Sequence, residues 1–179
     1  MHRLLLAACL FLSSTAMAQQ VYVSDYDKVQ DPKNEWTIYK GQFGFEDLQK
    51  ERTFDWFSRG ASGYKPDTTA VKYLKARMAP YEMVVLMGTW CDDSHTQIPR
   101  LYKTLTAASF PMSRVTMYGV DRGKQAKNVE HKIYSLDKVP TIILYRNHQE
   151  VGRIVESPKK SIEADLAAMI KAKEEPSEE

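Results

Sequence analysis

Apolar residues recur along this chain with two different periods, and the changes of period mark out its elements. Val71, Leu74 and Met78 fall at i, i+3 and i+7 and predict a helix that Asp67 caps and Pro80 ends. Met83 to Met87 is an unbroken apolar run with two adjacent valines, which predicts a strand buried on both faces. Ile98, Leu101, Tyr102 and Leu105 return to helical spacing after Cys91, and Pro99 inside that stripe predicts a kink. Arg114 to Val120 reads as a strand and Asn128 to Tyr134 as a polar helical stretch. Thr141 to Tyr145 and Val151 to Val155 form a hairpin around Asn147-His148-Gln149-Glu150. Ser157-Pro158 has the form of a cap and first-turn proline, ahead of a last helix that buries Ile162, Leu166, Met169 and Ile170. The charged segment from Lys171 to Glu179 is expected to fray. The order of helix, strand, helix, strand, helix, two strands and helix makes the chain α/β.

Residues 21 to 66 fit neither period. They interleave Trp36, Tyr39, Phe43, Phe45, Phe54, Trp56, Phe57 and Tyr64 with polar residues, which predicts a packed extension over 19–66 and not a disordered arm. The first eighteen residues have another meaning. A basic start at His2-Arg3, an apolar run from Leu4 to Leu12 and the small-x-small site Ala16-Met17-Ala18 predict a secretory signal peptide over 1–18. Leu6-Ala7-Ala8-Cys9 has the outline of a lipoprotein attachment site, but the apolar stretch before Cys9 is too short for that reading. The expected protein is exported, periplasmic or secreted, and free of the membrane once cleaved.

Composition changes this picture in two places. Twenty-five Lys and Arg against 23 Asp and Glu give a net charge of +2, too little to argue for a nucleic-acid partner. There are two cysteines, Cys9 and Cys91, and signal cleavage leaves Cys91 alone. The mature chain therefore cannot form an internal disulfide even in an oxidising compartment.

That thiol stands in Trp90-Cys91-Asp92-Asp93-Ser94, where a buried strand passes into a helix. Unpaired amide N–H groups and the helix dipole at such a junction favour an anion, so they favour a thiolate. Lone cysteines are commonly small buried hydrophobes. The polar neighbours here argue for exposure instead. Asp92 and Asp93 oppose the thiolate by like-charge repulsion, and their plainer role is to cap the helix.

On these residues the chain resembles the thioredoxin superfamily over roughly 67–173. Trp90 and Cys91 match the start of the family's Trp-Cys-Gly-Pro-Cys motif, Pro99 falls at its helix-kinking proline, and Val139-Pro140-Thr141 is similar to the segment with a cis proline that faces the active cysteine. The wider pattern around Gly88-Thr89-Trp90-Cys91, with Trp56-Phe57 and Tyr64-x-Pro66-Asp67 upstream, resembles a subgroup of exported bacterial members. The resemblance implies a thioredoxin-like fold, a central mixed sheet flanked by helices, with an N-terminal extension. It also implies thiol–disulfide chemistry, with Cys91 as nucleophile and Trp90, Val139, Pro140 and Thr141 lining the substrate groove.

The departures from the family pattern narrow that chemistry. Ser94 stands where the family has its resolving cysteine, and a hydroxyl cannot break a mixed disulfide. A monothiol cycle remains, in which protein or low-molecular-weight thiols and disulfides are the partners and an external thiol resolves. Ser94 can donate a hydrogen bond to the thiolate, or be a first-turn residue without chemical part. Val85 replaces the family's buried acid, leaving Asp93 or His95 as candidates for proton transfer, and Glu156 replaces a glycine at the groove edge. No cofactor is called for. Two other readings stand beside this one. One is a binding module that keeps the groove without turnover. The other is a copper or zinc site on Cys91 and His95, four apart on one helical face, with Asp92 or Asp93 as third ligand.

Overall fold

The structure is a computed structural model and describes residues 24–174. The expected signal peptide with Cys9, and residues 175–179 of the expected tail, lie outside the described residues.

A six-stranded mixed sheet is flanked by helices. Its strands are β1 (Asp25–Gln30), β2 (Thr37–Phe43), β3 (Tyr81–Met87), β4 (Val115–Gly119), β5 (Thr141–Arg146) and β6 (Gln149–Val155). They lie in the order β1-β2-β4-β3-β5-β6. The β3–β4 pair is parallel and the other pairs are antiparallel. The helices are α1 (Phe45–Lys50), α2 (Asp55–Gly63), α3 (Thr68–Arg77), α4 (Asp92–Ala107), α5 (Glu130–Ile133) and α6 (Ile162–Glu174).

The unbroken apolar run of β3 has a simple cause. Met83, Val85 and Met87 enter the large core with Tyr39, Phe43, Phe57, Leu74, Leu101 and Leu166. Val84 and Leu86 point the other way and pack with Ile143 under Tyr118, Tyr134 and Tyr145. A strand covered on both faces has no polar position to alternate with.

Local chemistry sets the helices that carry the site. Asp67 Oδ1 accepts from the Ala70 N–H at 2.8 Å and caps α3. Gly60 lets α2 approach α4 closely, because a Cβ there would lie 2.9 Å from the Cβ and Cγ of Pro99. Glu163, on α6 and almost fully buried, accepts from the Tyr64 hydroxyl at 2.9 Å, the Asp67 N–H at 3.0 Å and Thr104 Oγ1 at 3.3 Å. One carboxylate thereby ties α6 to α4 and to the junction of α2 and α3.

Three sequence expectations are corrected. Ser157-Pro158 does not cap α6: Ser161 Oγ accepts from the Ala164 N–H at 3.3 Å, and the Asp165 carboxylate takes the Lys159 and Lys160 amides at 2.6 and 3.1 Å. Lys171 to Glu174 do not belong to a fraying tail, since α6 continues through them and the Glu174 carboxylate pairs with Arg77 at 3.3 Å and Arg146 at 3.6 Å. The turn between β5 and β6 is Asn147-His148 alone, both at positive φ, so Gln149 and Glu150 belong to the strand. Residues 24–66 supply two strands of the sheet and two helices that enter the main core.

Candidate functional site

The loop Gly88–Cys91 joins β3 to α4, and every residue in it is held. The Cys91 N–H donates to the Gly88 carbonyl at 3.0 Å, and the His95 N–H donates to the Cys91 carbonyl at 2.9 Å as the first turn of α4. Thr89 Oγ1 accepts from the Tyr39 N–H at 3.1 Å and donates to the Thr37 carbonyl at 3.0 Å, which fastens the loop to β2. Trp90 Nε1 donates to the Val120 carbonyl at 2.8 Å and fastens it to the end of β4.

Cys91 is the N-cap residue of α4, with extended backbone, and its side chain is half-buried. Its thiol donates to the Val139 carbonyl at 3.4 Å. Val139 precedes Pro140, and the peptide bond between them is cis. The sulfur thus lies between a helix N-terminus and the segment that enters β5. Among the described residues, the Val139 N–H has no hydrogen-bond partner. Val139 and Pro140 are both buried. The Pro140 carbonyl accepts from Glu156 N–H at 2.8 Å, and Glu156 takes φ +60°, a conformation glycine adopts more readily. Its carboxylate pairs with Lys138 at 2.7 Å, so its charge is neutralised at the groove edge.

The other expected site residues lie around this pair with different partners. Ser94 is fully buried and its Oγ accepts from the Gly88 N–H at 3.3 Å, so its hydroxyl supports the loop. Asp92 and Asp93 are exposed in the first turn of α4 and form no ion pair among the described residues. Thr141 is buried, with its hydroxyl donating to the Lys138 carbonyl at 2.7 Å inside the same turn. His95 has other partners than Cys91. Its Nε2 lies 2.7 Å from the Thr89 carbonyl, which requires the proton on Nε2, and its ring stacks on Trp56 at 4.2 Å. Trp36, half-exposed, stands 5.7 Å from that ring and is tilted 43° to it. Trp36, Trp56, Phe54, Arg59, Thr89 and His95 line a cleft of about 240 Å³. Among the described residues, no three His, Cys, Asp or Glu side chains converge to hold a metal ion.

Two residues at this site carry no sequence signal. Arg122 lays its guanidinium 5.0 Å over the Trp90 ring, and Asp31 holds it there through two contacts of 2.7 Å, from Nε to Oδ1 and from the terminal nitrogen to Oδ2. The hydrogen bond from Arg122 keeps the Asp31 carboxyl below the ordinary carboxylate range in spite of burial. The Asp31 hydrogen bond in turn raises Arg122, and the charges of Asp92 and Cys91 act on it in the same direction. Asp31 and Arg122 are 91 residues apart, so only the folded β1–β2 turn brings them together.

No family model matches this chain, and no curated protein matches it. Among solved structures, a protein of unknown function from Pseudomonas aeruginosa is 17% identical, covering 73% of this chain and 82% of its own, with a TM-score of 0.49. An HIV epitope scaffold is 16% identical, covering 71% of this chain and 81% of its own, with a TM-score of 0.48.

Proposed function

We propose that this chain is an exported, thioredoxin-like monothiol protein that exchanges thiols and disulfides through Cys91. The observation that carries the reading is the position of the Cys91 sulfur, at the N-terminus of α4 and 3.4 Å from the Val139 carbonyl. A helix end favours the thiolate, which is the attacking form. The Val139 carbonyl borders the sulfur, and the Val139 N–H, without a partner among the described residues, offers an extended substrate segment a place to pair, as an added strand does.

The cycle needs two exchanges. The Cys91 thiolate attacks one sulfur of a mixed disulfide, a new bond forms from Cys91 to that sulfur, the old S–S bond breaks, and the departing thiolate takes a proton. An external thiolate then attacks the Cys91 adduct and restores the free thiol. No second cysteine is present among the described residues, so the second step comes from another molecule. Export rests on the apolar run and cleavage pattern of residues 1–18.

Incubation with a glutathionylated peptide tests the reading. The wild-type protein should release the peptide thiol in the presence of an external thiol, and Cys91→Ala should not. Equal release by both proteins overturns the proposal. A groove that binds without exchanging is the second reading, favoured by apolar Val85 in the core and by Ser94 in place of a resolving thiol. Partners retained equally by wild type and Cys91→Ala would select it.

A further inference from the structure

Asp31 is 2% exposed, yet it is a carboxylate in a domain with ample apolar residues. A buried ion pair is a poor source of stability, because desolvation of both charges offsets much of their attraction. What this pair does supply is direction. Asp31 Oδ1 accepts from Arg122 Nε and from the Lys33 N–H at 3.0 Å, Oδ2 accepts from one terminal nitrogen of Arg122, and the Trp90 ring covers one face of the guanidinium. The other terminal nitrogen has no partner among the described residues, and the side chain remains 24% exposed beside the Cys91 loop. A guanidinium held in one orientation with a free edge is a carboxylate receptor.

We infer that Arg122 is the specificity-determining residue of the Cys91 site, receiving on its free edge a carboxylate carried by the small disulfide or thiol that reacts there. This rests on the exchange reading above. The surrounding charges sharpen it. Asp92 and Asp93, both exposed, would repel an anion from the loop, while Lys138 is spent on Glu156 and Lys40 on Asp121. Lys124 has no carboxylate partner among the described residues but gives its Nζ to the Asp137 carbonyl at 2.6 Å; what sets Arg122 apart is that its pairing with Asp31 fixes its direction and leaves one terminal nitrogen for an acidic molecule.

The test uses three disulfides of different charge: 3,3′-dithiodipropionate, bis(2-hydroxyethyl) disulfide and cystamine. In each case the Cys91 thiolate displaces one half of the probe as its thiol and retains the other half, which intact-mass spectrometry reads directly. Rates for the charged probes are normalised to the neutral one. Arg122→Gln should lower the normalised rate of the anionic probe about tenfold, the effect of one charge contact near a protein surface. Asp31→Asn discriminates further. If charge alone matters, removal of a negative charge speeds the anionic probe. If Asp31 aims the guanidinium, the same substitution slows it, and slowing is the expected result. The double variant Asp31→Asn/Arg122→Gln leaves no buried charge unpaired, and should show the same loss if either single variant fails to fold. An anionic preference unchanged in Arg122→Gln or in the double variant, or raised in Asp31→Asn, overturns the assignment while reaction with the neutral probe keeps the exchange reading. A wild-type Cys91 inert even to the neutral probe overturns both.

Discussion

Gly88→Ala is the sharpest perturbation of the loop that presents Cys91. A Cβ at position 88 would lie 2.6 Å from Trp90 Cε2 and 2.8 Å from Nε1, where ordinary van der Waals contact begins at 3.4 Å. The indole is rigid, so it must retreat by about 0.8 Å or the loop must shift as a unit. Such a retreat stretches the 2.8 Å bond from Trp90 Nε1 to the Val120 carbonyl to a separation that no longer counts as a hydrogen bond. A neutral hydrogen bond contributes about 1 kcal/mol, and an acceptor left buried at Val120, a fully buried residue, costs about as much again, for a total loss of about 2 kcal/mol. In a domain of this size that lowers Tm by roughly 6 °C. Gly63→Ala is the internal control. It lies in α2 with open space around its missing Cβ, so the substitution should be neutral or stabilise by up to about 1 kcal/mol. Urea unfolding followed by tryptophan fluorescence measures both variants. If Gly88→Ala and Gly63→Ala unfold within about 0.5 kcal/mol of each other, the account of Trp90 as the clamp of this loop is refuted.

Two other substitutions probe the scaffold and the chemistry. Glu163→Ala strands three donors, two from the α2–α3 junction and one from α4, and should cost on the order of 3–5 kcal/mol. Burial works to raise the Glu163 carboxyl, but hydrogen bonds from the Asp67 amide, its own backbone, Ser161 and Tyr64 outweigh it and hold it below the ordinary range. The linked stability is thus fully present above the ordinary glutamate pKa and is lost as pH falls through the depressed folded value. Urea midpoints of wild type and Glu163→Gln should converge on acidification; a constant gap from pH 7 to pH 3 contradicts this. Ser94→Cys places a second thiol one turn along α4 from Cys91, within the span a disulfide bridges. The mixed disulfide at Cys91 should then decay without added thiol, about tenfold faster or more than in wild type. An adduct as long-lived as that of the wild type speaks against a thioredoxin-like arrangement of the two positions.

The sequence was most legible where burial alone sets the pattern. Five consecutive apolar residues announced β3, and Asp67 with its apolar stripe announced α3, because two covered faces and a cap leave direct traces. β1 left none: Asp25–Gln30 is an edge strand with nearly all of its residues exposed, so it carries no alternation. β2 buries both Ile38 and Tyr39, neighbours that point to opposite faces, and period two is lost there. Position within a helix was legible at Cys91, while side-chain direction was not. His95 shares a helical face with Cys91 by spacing, yet its Nε2 is taken by the Thr89 carbonyl and its ring by the indole of Trp56. Asp31 and Arg122 illustrate the deeper limit, since a contact across 91 residues has no period at all.

Residues 24–66 are therefore more than a cover for the sheet. β2 supplies the Tyr39 amide and the Thr37 carbonyl that hold the Thr89 hydroxyl. The turn before it supplies Asp31, which sets Arg122, and Trp36, which borders the His95 ring. α2 supplies Trp56, which stacks on that ring. The β3–α4 loop has its own internal bonds at Gly88, Cys91 and Ser94. These fix the course of the backbone but leave its lateral position against the sheet to Thr89 and Trp90. Of those two anchors, Trp90 is tied to β4 and Thr89 to β2, so the location of the Cys91 sulfur opposite the Val139 carbonyl depends on both halves of the chain. An N-terminal segment placed in this way fixes the loop that carries the sulfur, through the Thr89 hydroxyl, and the guanidinium that lies over Trp90, through Asp31.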